Sequence, residues 1–270
     1  MRAAVKDADY IYHLAGAVKA ADPADFYRHN CEGALNIARS ALEASPSLKR
    51  FLFSSSQAAA GPAIGLDHPV CEHHECRPLT DYGKSKLMAE QKLMELSGKL
   101  PLTIIRPSSV YGPRDTEVFM YFQWIDYGLA LLPGFKIRYA HLIYIADLVM
   151  GMIQAAESEK AAGKTYFLAG DRAYSWQEIS DAIAHSLGKH PLKVHLPLFL
   201  AHFSAMLAEA GAYVAKNPST FDRQKVREMS QRYWAVSTGA AQRDFGFTSE
   251  YGLQRGVAET VKWYKYNKWL

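Results

Sequence analysis

The chain has 270 residues, 49% hydrophobic and 21% charged, which can bury a sizeable core in one large or two smaller domains and excludes wholesale disorder. Its 31 basic and 27 acidic residues give a formal net charge of +4 without a clustered basic run, so a nucleic-acid partner is not expected. Cys31, Cys71 and Cys76 are too irregular for a disulfide framework, and neither a secretory leader nor a membrane-spanning stretch is visible. The expectation is a cytoplasmic protein with no integral membrane span.

In chain order, residues 9–15 (DYIYHLA) predict a buried strand, and residues 24–45 carry a helical pattern built on Phe26, Leu35, Ile37 and Leu42. Residues 50–54 (RFLFS) read as a second strand, and residues 80–98 as a helix stopped by Gly98. Residues 102–106 (LTIIR) form a third strand, ended by Pro107. Short strands alternating with helices imply parallel β-α-β units, a Rossmann-like doubly wound α/β sheet with helices on both faces. Residues 164–169 add a strand. Ser175 and Glu178 then make a capping box whose helix runs to about Leu187, with Gly188 as its C-cap. The remainder of the chain is mainly helical and ends in an aromatic tail, Trp263, Tyr264, Tyr266 and Trp269, expected to pack on the core. We divide the chain into a dinucleotide-binding core over residues 1–165 and a smaller substrate-binding region over 166–270.

The stretch richest in chemistry is residues 81–86 (DYGKSK). Tyr82 and Lys86 are four apart and so lie on one helical face. A tyrosine titrates near ~10, too high for acid-base work at neutral pH. An adjacent ammonium favours the phenolate, and the pair can then move a proton at a substrate oxygen while a cofactor moves a hydride. Upstream, Ser54, Ser55 and Ser56 follow a strand's C-terminal end, where ligands bind in open parallel sheets. Taken alone, a tyrosine and a lysine at this spacing are usually a solvated helix face.

Order and context add to this. Residues 9–16 (DYIYHLAG), 30–37 (NCEGALNI), 51–61 (FLFSSSQAAAG), 82–86 (YGKSK), 105–115 (IRPSSVYGPRD) and 143–148 (IYIADL) together resemble the extended short-chain dehydrogenase/reductase superfamily, its NAD-dependent epimerase/dehydratase group. The resemblance implies an enzyme using NAD or NADP on a small-molecule substrate, working as a homodimer. It implies Tyr82 as catalytic acid/base, Lys86 as the residue that tunes it and binds the nicotinamide ribose, and Ser56 as the hydroxyl orienting the substrate oxygen. Asn30 would sit beneath the site. Ala15 and Gly16 would let the cofactor approach the backbone, with Ser54 beside it, and Pro107, Ser109 and Val110 would border the nicotinamide. Tyr111 is expected to be structural.

Members of that group open with a strand and a Gly-x-x-Gly-x-x-Gly loop that holds the dinucleotide pyrophosphate. Here no three glycines fall within seven residues. The resemblance makes residues 9–15 the counterpart of a fourth strand, with two β-α units, ~60 residues, lacking before it. A shortened version of a longer enzyme is expected, with an exposed apolar edge on that first strand.

Sugar-nucleotide members of the group carry an arginine just before the strand corresponding to 143–148, where it pairs with a diphosphate. Ala140 or His141 stands there, and Arg138 is the nearest arginine. Residues 196–216 form a long apolar helix holding only His202 and Glu209 before Lys216. It lacks the basic face of a membrane-surface helix, so a substrate-pocket or dimer helix is expected. Residues 218–226, Trp234 and 246–263 resemble 3β-hydroxysteroid dehydrogenase and dihydroflavonol-reductase-like members. The expected substrate is therefore a lipophilic alcohol or ketone. A nucleotide-sugar epimerase or dehydratase is the alternative, and a binding protein that has lost its dinucleotide site the third reading. Residues 71–76 (CEHHEC) do not match a zinc spacing, and no metal is expected.

Overall fold

Two strands rich in β-branched and aromatic residues hold the centre of the molecule, and everything else is arranged on them. The computed structural model describes residues 1–20, 22–215 and 222–270. Its elements begin with α1 (Arg2–Val5), β1 (Tyr10–His13) and α2 (Pro23–Phe26), then a π-helical turn (Tyr27–Glu32) that runs into α3 (Gly33–Ala44). They continue with β2 (Arg50–Ser54), α4 (Gln57–Ala60), α5 (Asp81–Met94), β3 (Leu102–Pro107), β4 (Ser109–Tyr111), α6 (Phe119–Asp126), β5 (Leu129–Pro133), β6 (Tyr139–Tyr144) and α7 (Ile145–Glu157). The last part holds β7 (Lys164–Leu168), β8 (Ala173–Ser175), α8 (Trp176–Leu187), β9 (Leu192–Leu196), α9 (Leu198–Ala215), α10 (Arg223–Ser230), β10 (Tyr233–Trp234), α11 (Gly239–Phe245) and α12 (Leu253–Tyr266).

The first sheet is parallel, in the order β1-β2-β3-β7, with Ile11 beside Phe51, Leu52 beside Thr103 and Ile104 beside Thr165. Successive side chains of a strand face opposite ways, so each central strand feeds two cores. Phe51, Phe53, Leu102 and Ile104 pack with Ala34, Leu35 and Ala38 of α3 and Ala89 and Leu93 of α5. Leu52 and Ile105 pack with Leu148, Met152 and Ala155 of α7 and Ala241 of α11 on the other face. This is the doubly wound α/β arrangement expected.

A second layer pairs β10, β6 and β4 in parallel, with β8 antiparallel to β6, and β5 pairs separately with β9. Its core joins Phe122, Ile125, Tyr144, Tyr174, Ile183, Val257 and Tyr264. The chain enters this layer at β4, returns for β7 and leaves again, so residues 109–144 pair with strands that come after 165. Tyr264 is fully buried and donates to the Asp115 carbonyl, while Tyr266 is exposed. Tyr111 is buried where a Cβ on Gly256 would collide with its hydroxyl.

Local rules hold at α8. The Ser175 hydroxyl accepts from Glu178 N, the Glu178 carboxylate accepts from Ser175 N at 2.8 Å, and Gly188 ends the helix at φ 71°. Three expectations need correction. Residues 9–15 give only a four-residue strand, and it is not a buried one: Tyr10 and Tyr12 are exposed, with β2 its single partner among the described residues, which is the exposed edge expected of it. The helix 80–98 ends at Met94, and turns carry the chain to Lys99 before Gly98 can act as a stop. Pro107 ends β3 as expected, as its last residue, opposite Leu168. In the last part, residues 192–196 are a strand, added to β5. Lys216 and residues 218–221 lie outside the described residues; Asp222 is described, as the N-cap of α10.

Candidate active site

The C-terminal ends of β1 and β2 and the first turns of α5 converge. Ser56 N-caps α4, its hydroxyl oxygen accepting from Ala58 N at 3.1 Å, which leaves its proton free for another acceptor. Thr80 N-caps α5 by accepting from Gly83 N at 3.2 Å. Gly83 is what lets the two helices meet, since a Cβ there would strike the Ala58 carbonyl. Tyr82 is thereby carried up to Ser56. Burial pushes its phenol up to about 12, and the negative charges of Glu228 and Glu117 push the same way. The Ser56 hydroxyl, hydrogen-bonding to the phenol, opposes them. Phe26 meets the Tyr82 ring edge-on at 6.2 Å.

Lys86, one turn on, is buried and its Nζ donates to the Ser54 carbonyl at 2.9 Å. Burial pulls its pKa down to about 8, with Glu90 opposing. Lys86 is not among the groups that shift the Tyr82 phenol in this arrangement; its ammonium is turned to the Ser54 carbonyl. Asn30, fully buried, closes the floor. Its Oδ1 accepts from Ala17 N at 2.7 Å, and its Nδ2 donates to the Ala17 carbonyl at 3.0 Å and to Ser85 Oγ at 2.9 Å. Ser85 in turn donates to the Tyr82 carbonyl. Asn30 thus ties the loop after β1 to α5.

The structure therefore brings Gly16, Asn30, Ser54 and Lys86 together, and Ser56 with Tyr82. Ser54 contributes its carbonyl to Lys86. Ala15 and Gly16 are exposed. Pro107, Ser109 and Val110 lie one strand over, where the chain crosses from β3 to β4; Ser109 is exposed, and no hydrogen bond joins them to the Tyr82 cluster. Residues suited to a nicotinamide ribose are present on two counts. Lys86 spends one of its three protons on Ser54. His13 Nε2 is buried without a partner, its ring stacked on Phe53 at 5.9 Å, with burial and then Lys86 holding its pKa down.

Several participants were not visible as motifs. Beneath the site Arg106 grips Glu90 with two hydrogen bonds, at 2.9 and 2.6 Å, while Ser55 donates to the same carboxylate. From far along the chain, Gln224 accepts from Asp81 N at 2.6 Å and donates to Asp81 Oδ2 at 2.9 Å. Thr80 donates to Glu228 Oε1 at 3.0 Å. Helix α10 is thus clamped onto the N-terminus of the helix that bears Tyr82. Arg138 is buried and committed, donating to the carbonyls of Pro133 at 2.5 Å, Lys136 at 2.8 Å and Ser230 at 3.1 Å. His141 accepts from Val236 N, and burial pulls its pKa down to about 4, so it is neutral at pH 7. In the 71–76 loop, His74 accepts from Cys71 N and Glu72 accepts from Phe167 N.

Comparison with known proteins places this geometry. The profile of the NAD dependent epimerase/dehydratase family matches residues 1–169. The chain is 27% identical to the ceramide reductase of Caulobacter vibrioides, over 98% of this chain and 77% of that protein. It is 26% identical to the 3 beta-hydroxysteroid dehydrogenase type 7 of Mus musculus, over 97% and 78% respectively. Among solved structures it resembles a dTDP-glucose 4,6-dehydratase of Streptomyces venezuelae with NAD bound, at a TM-score of 0.77 and 18% identity over 99% of this chain and 76% of that one. That last likeness speaks for the fold.

Proposed function

The chain belongs to the NAD dependent epimerase/dehydratase family, an enzyme family, and from that premise we propose that it reduces, or in reverse oxidises, a carbinol/carbonyl carbon of a lipophilic substrate with NAD or NADP. The observation that carries the lipophilic reading is Arg138. Its Nε and Nη1 are spent on three backbone carbonyls, which leaves Nη2 alone without a partner among the described residues, and neighbouring His141 is uncharged. With Nε and Nη1 both engaged, Arg138 offers no complete two-nitrogen fork to a diphosphate. The named relatives, a ceramide reductase and a hydroxysteroid dehydrogenase, act on lipids by their names and support the same reading.

When bound, the nicotinamide supplies the hydride donor or acceptor. The chain's own residues handle the oxygen. Ser56, whose hydroxyl meets the Tyr82 phenol, turns its proton to the substrate oxygen, and Tyr82 exchanges a proton with that oxygen. A phenol held near 12 rests protonated at neutral pH, which suits donation to an oxygen gaining negative charge, the reducing direction. Lys86 holds the ribose, Asn30 fixes the loop that carries Gly16, and Pro107, Ser109 and Val110 border the nicotinamide. Residues 1–165 supply most of the dinucleotide side, and 166–270, through α10, the substrate side. Three free cysteines suit a reducing, cytoplasmic setting, and a homodimer completes the proposal, checked by analytical ultracentrifugation.

The test pairs two measurements. A net change in NAD(P)H absorbance with a water-soluble alicyclic or long-chain ketone, and no calorimetric binding of UDP-glucose or dTDP-glucose, is the expected result. Tight nucleotide-sugar binding without net NAD(P)H change would replace this reading with an epimerase or dehydratase.

A further inference from the structure

Helix α9 is packed inside out. Its small residues Ala201 and Ala205 are buried against Val226 of α10 and Leu196. Its large ones face water: Phe199 is 72% exposed, Phe203 55% and Leu207 57%, with Leu200 and Met206 beside them. These five recur at intervals of one, three and four residues, a single helical stripe. An ordinary surface helix does the opposite, and a contiguous apolar face of this kind marks an interaction site. The face continues onto the β5–β9 pair, where exposed Phe135 stacks on His195 at 5.9 Å and Ile137 is exposed.

We propose that this face lies on the surface of an anionic lipid bilayer. Charge selects the occupant. Over residues 134–137 and 192–209 the formally charged side chains are Lys136, Lys193 and Glu209. Lys193 pairs with Asp181 and Glu209 with Arg223, while Lys136 pairs with no carboxylate among the described residues, so the uncompensated charge beside the apolar face is positive. A second copy docking face to face would set Lys136 against its own copy. A headgroup layer containing phosphatidylglycerol meets it with the opposite sign. Among the described residues no helix is long and apolar enough to cross a membrane, so α9 rests in the interface instead of spanning it. The location is apt. Behind α9, helix α10 holds Thr80 and Asp81 at the start of the Tyr82 helix, so a lipid leaving the bilayer would enter beside the candidate site.

Flotation of the full chain with vesicles of phosphatidylcholine plus phosphatidylglycerol, and with phosphatidylcholine alone, tests this. The chain is expected to float with the anionic vesicles and to lose binding as salt is raised. The double variant Phe199→Ser/Phe203→Ser should bind roughly a hundredfold more weakly, and Lys136→Glu roughly fivefold more weakly on anionic vesicles only. Both variants should keep the parent's thermal transition and its turnover of a water-soluble ketone. That assay also separates this proposal from the substrate reading, since vesicle binding and turnover can fail independently. No flotation at low salt would overturn the proposal. So would variants that float like the parent, or a concentration-dependent dimer that Phe199→Ser/Phe203→Ser dissociates.

Discussion

Gly16 and Asn30 are fitted to each other: a Cβ on Gly16 would stand 2.7 Å from Asn30 Oδ1 and 3.1 Å from Lys86 Nζ. That oxygen is already the acceptor for Ala17 N. Gly16→Ala must therefore push Asn30 off the loop and leave buried groups unpaired, a cost of about 1–3 kcal/mol. Differential scanning fluorimetry should show a lower transition, and calorimetry a weaker NAD(H) affinity. Unchanged values for both would mean that the loop relaxes freely and that Asn30 does not hold it.

Tyr82→Phe keeps the ring against Phe26 and removes the proton. Turnover should fall by about 10²–10⁴-fold while the melting transition stays put. Ser56→Ala should show a smaller loss, and it also removes the cap on α4, costing about 1 kcal/mol. If Tyr82→Phe turns over at the parent's rate, another group supplies the proton.

The phenol's high pKa has a removable component. Burial is its larger cause, and the Glu228 carboxylate adds to it. Glu228 is itself pushed up, chiefly by burial. In Glu228→Gln the amide oxygen can still accept from Thr80, but the charge is gone, so the phenol should ionise at lower pH. Reduction needs the protonated phenol, and its alkaline limb should therefore shift to lower pH, with KM little changed. A profile superimposable on the parent's would remove Glu228 from the electrostatics of the site.

Lys86 costs the fold something. Its folded pKa, about 8, lies below the ordinary value of 10.5. Between those values the unfolded chain binds more protons, so this lysine makes stability rise with pH there, and its full penalty is present below about pH 8. Lys86→Met should melt higher than the parent at about pH 7, and the gain should shrink towards about pH 10. A gain that does not vary with pH would point to packing, not charge.

Arg106 and Glu90 form an almost fully buried ion pair at 2.6 Å. Breaking it from one side, Glu90→Leu or Arg106→Met, should cost about 3–5 kcal/mol, whereas Glu90→Leu/Arg106→Met together should cost much less than the sum. Urea denaturation of the four proteins gives the cycle; additive losses would show that the two charges do not depend on each other.

Much of the site could be read in advance because its rules are local. Tyr82 and Lys86 need helical spacing and the matching stretches in order around them, Ser175 and Glu178 only a capping box, Ser54 to Ser56 only the end of a strand. What escaped depends on neighbours that no window along the chain contains. Residues 9–15 read as a buried strand because the run is apolar, but burial of a strand is set by what covers it, and among the described residues β1 has one partner. The α10 clamp joins Asp81 to Gln224 across 143 positions and Thr80 to Glu228 across 148. Arg138 looked available because a guanidinium in a sequence carries no sign of which carbonyls the fold will bring to it.

The π-helical turn at Tyr27–Glu32 gives Asn30 an unusual kind of constraint. Such a turn holds one residue more than the α-helix around it would need. Deleting any one of its residues would let α2 and α3 fuse into an uninterrupted helix, a change that backbone energetics welcome. It would also rotate the helix before the deletion by roughly 100° relative to the helix after it, and Asn30 could no longer face Ala17 and Ser85 together. The length of this segment is therefore held by the site and against the preference of the helix. Insertions and deletions here should be tolerated by folding long after they have ended function.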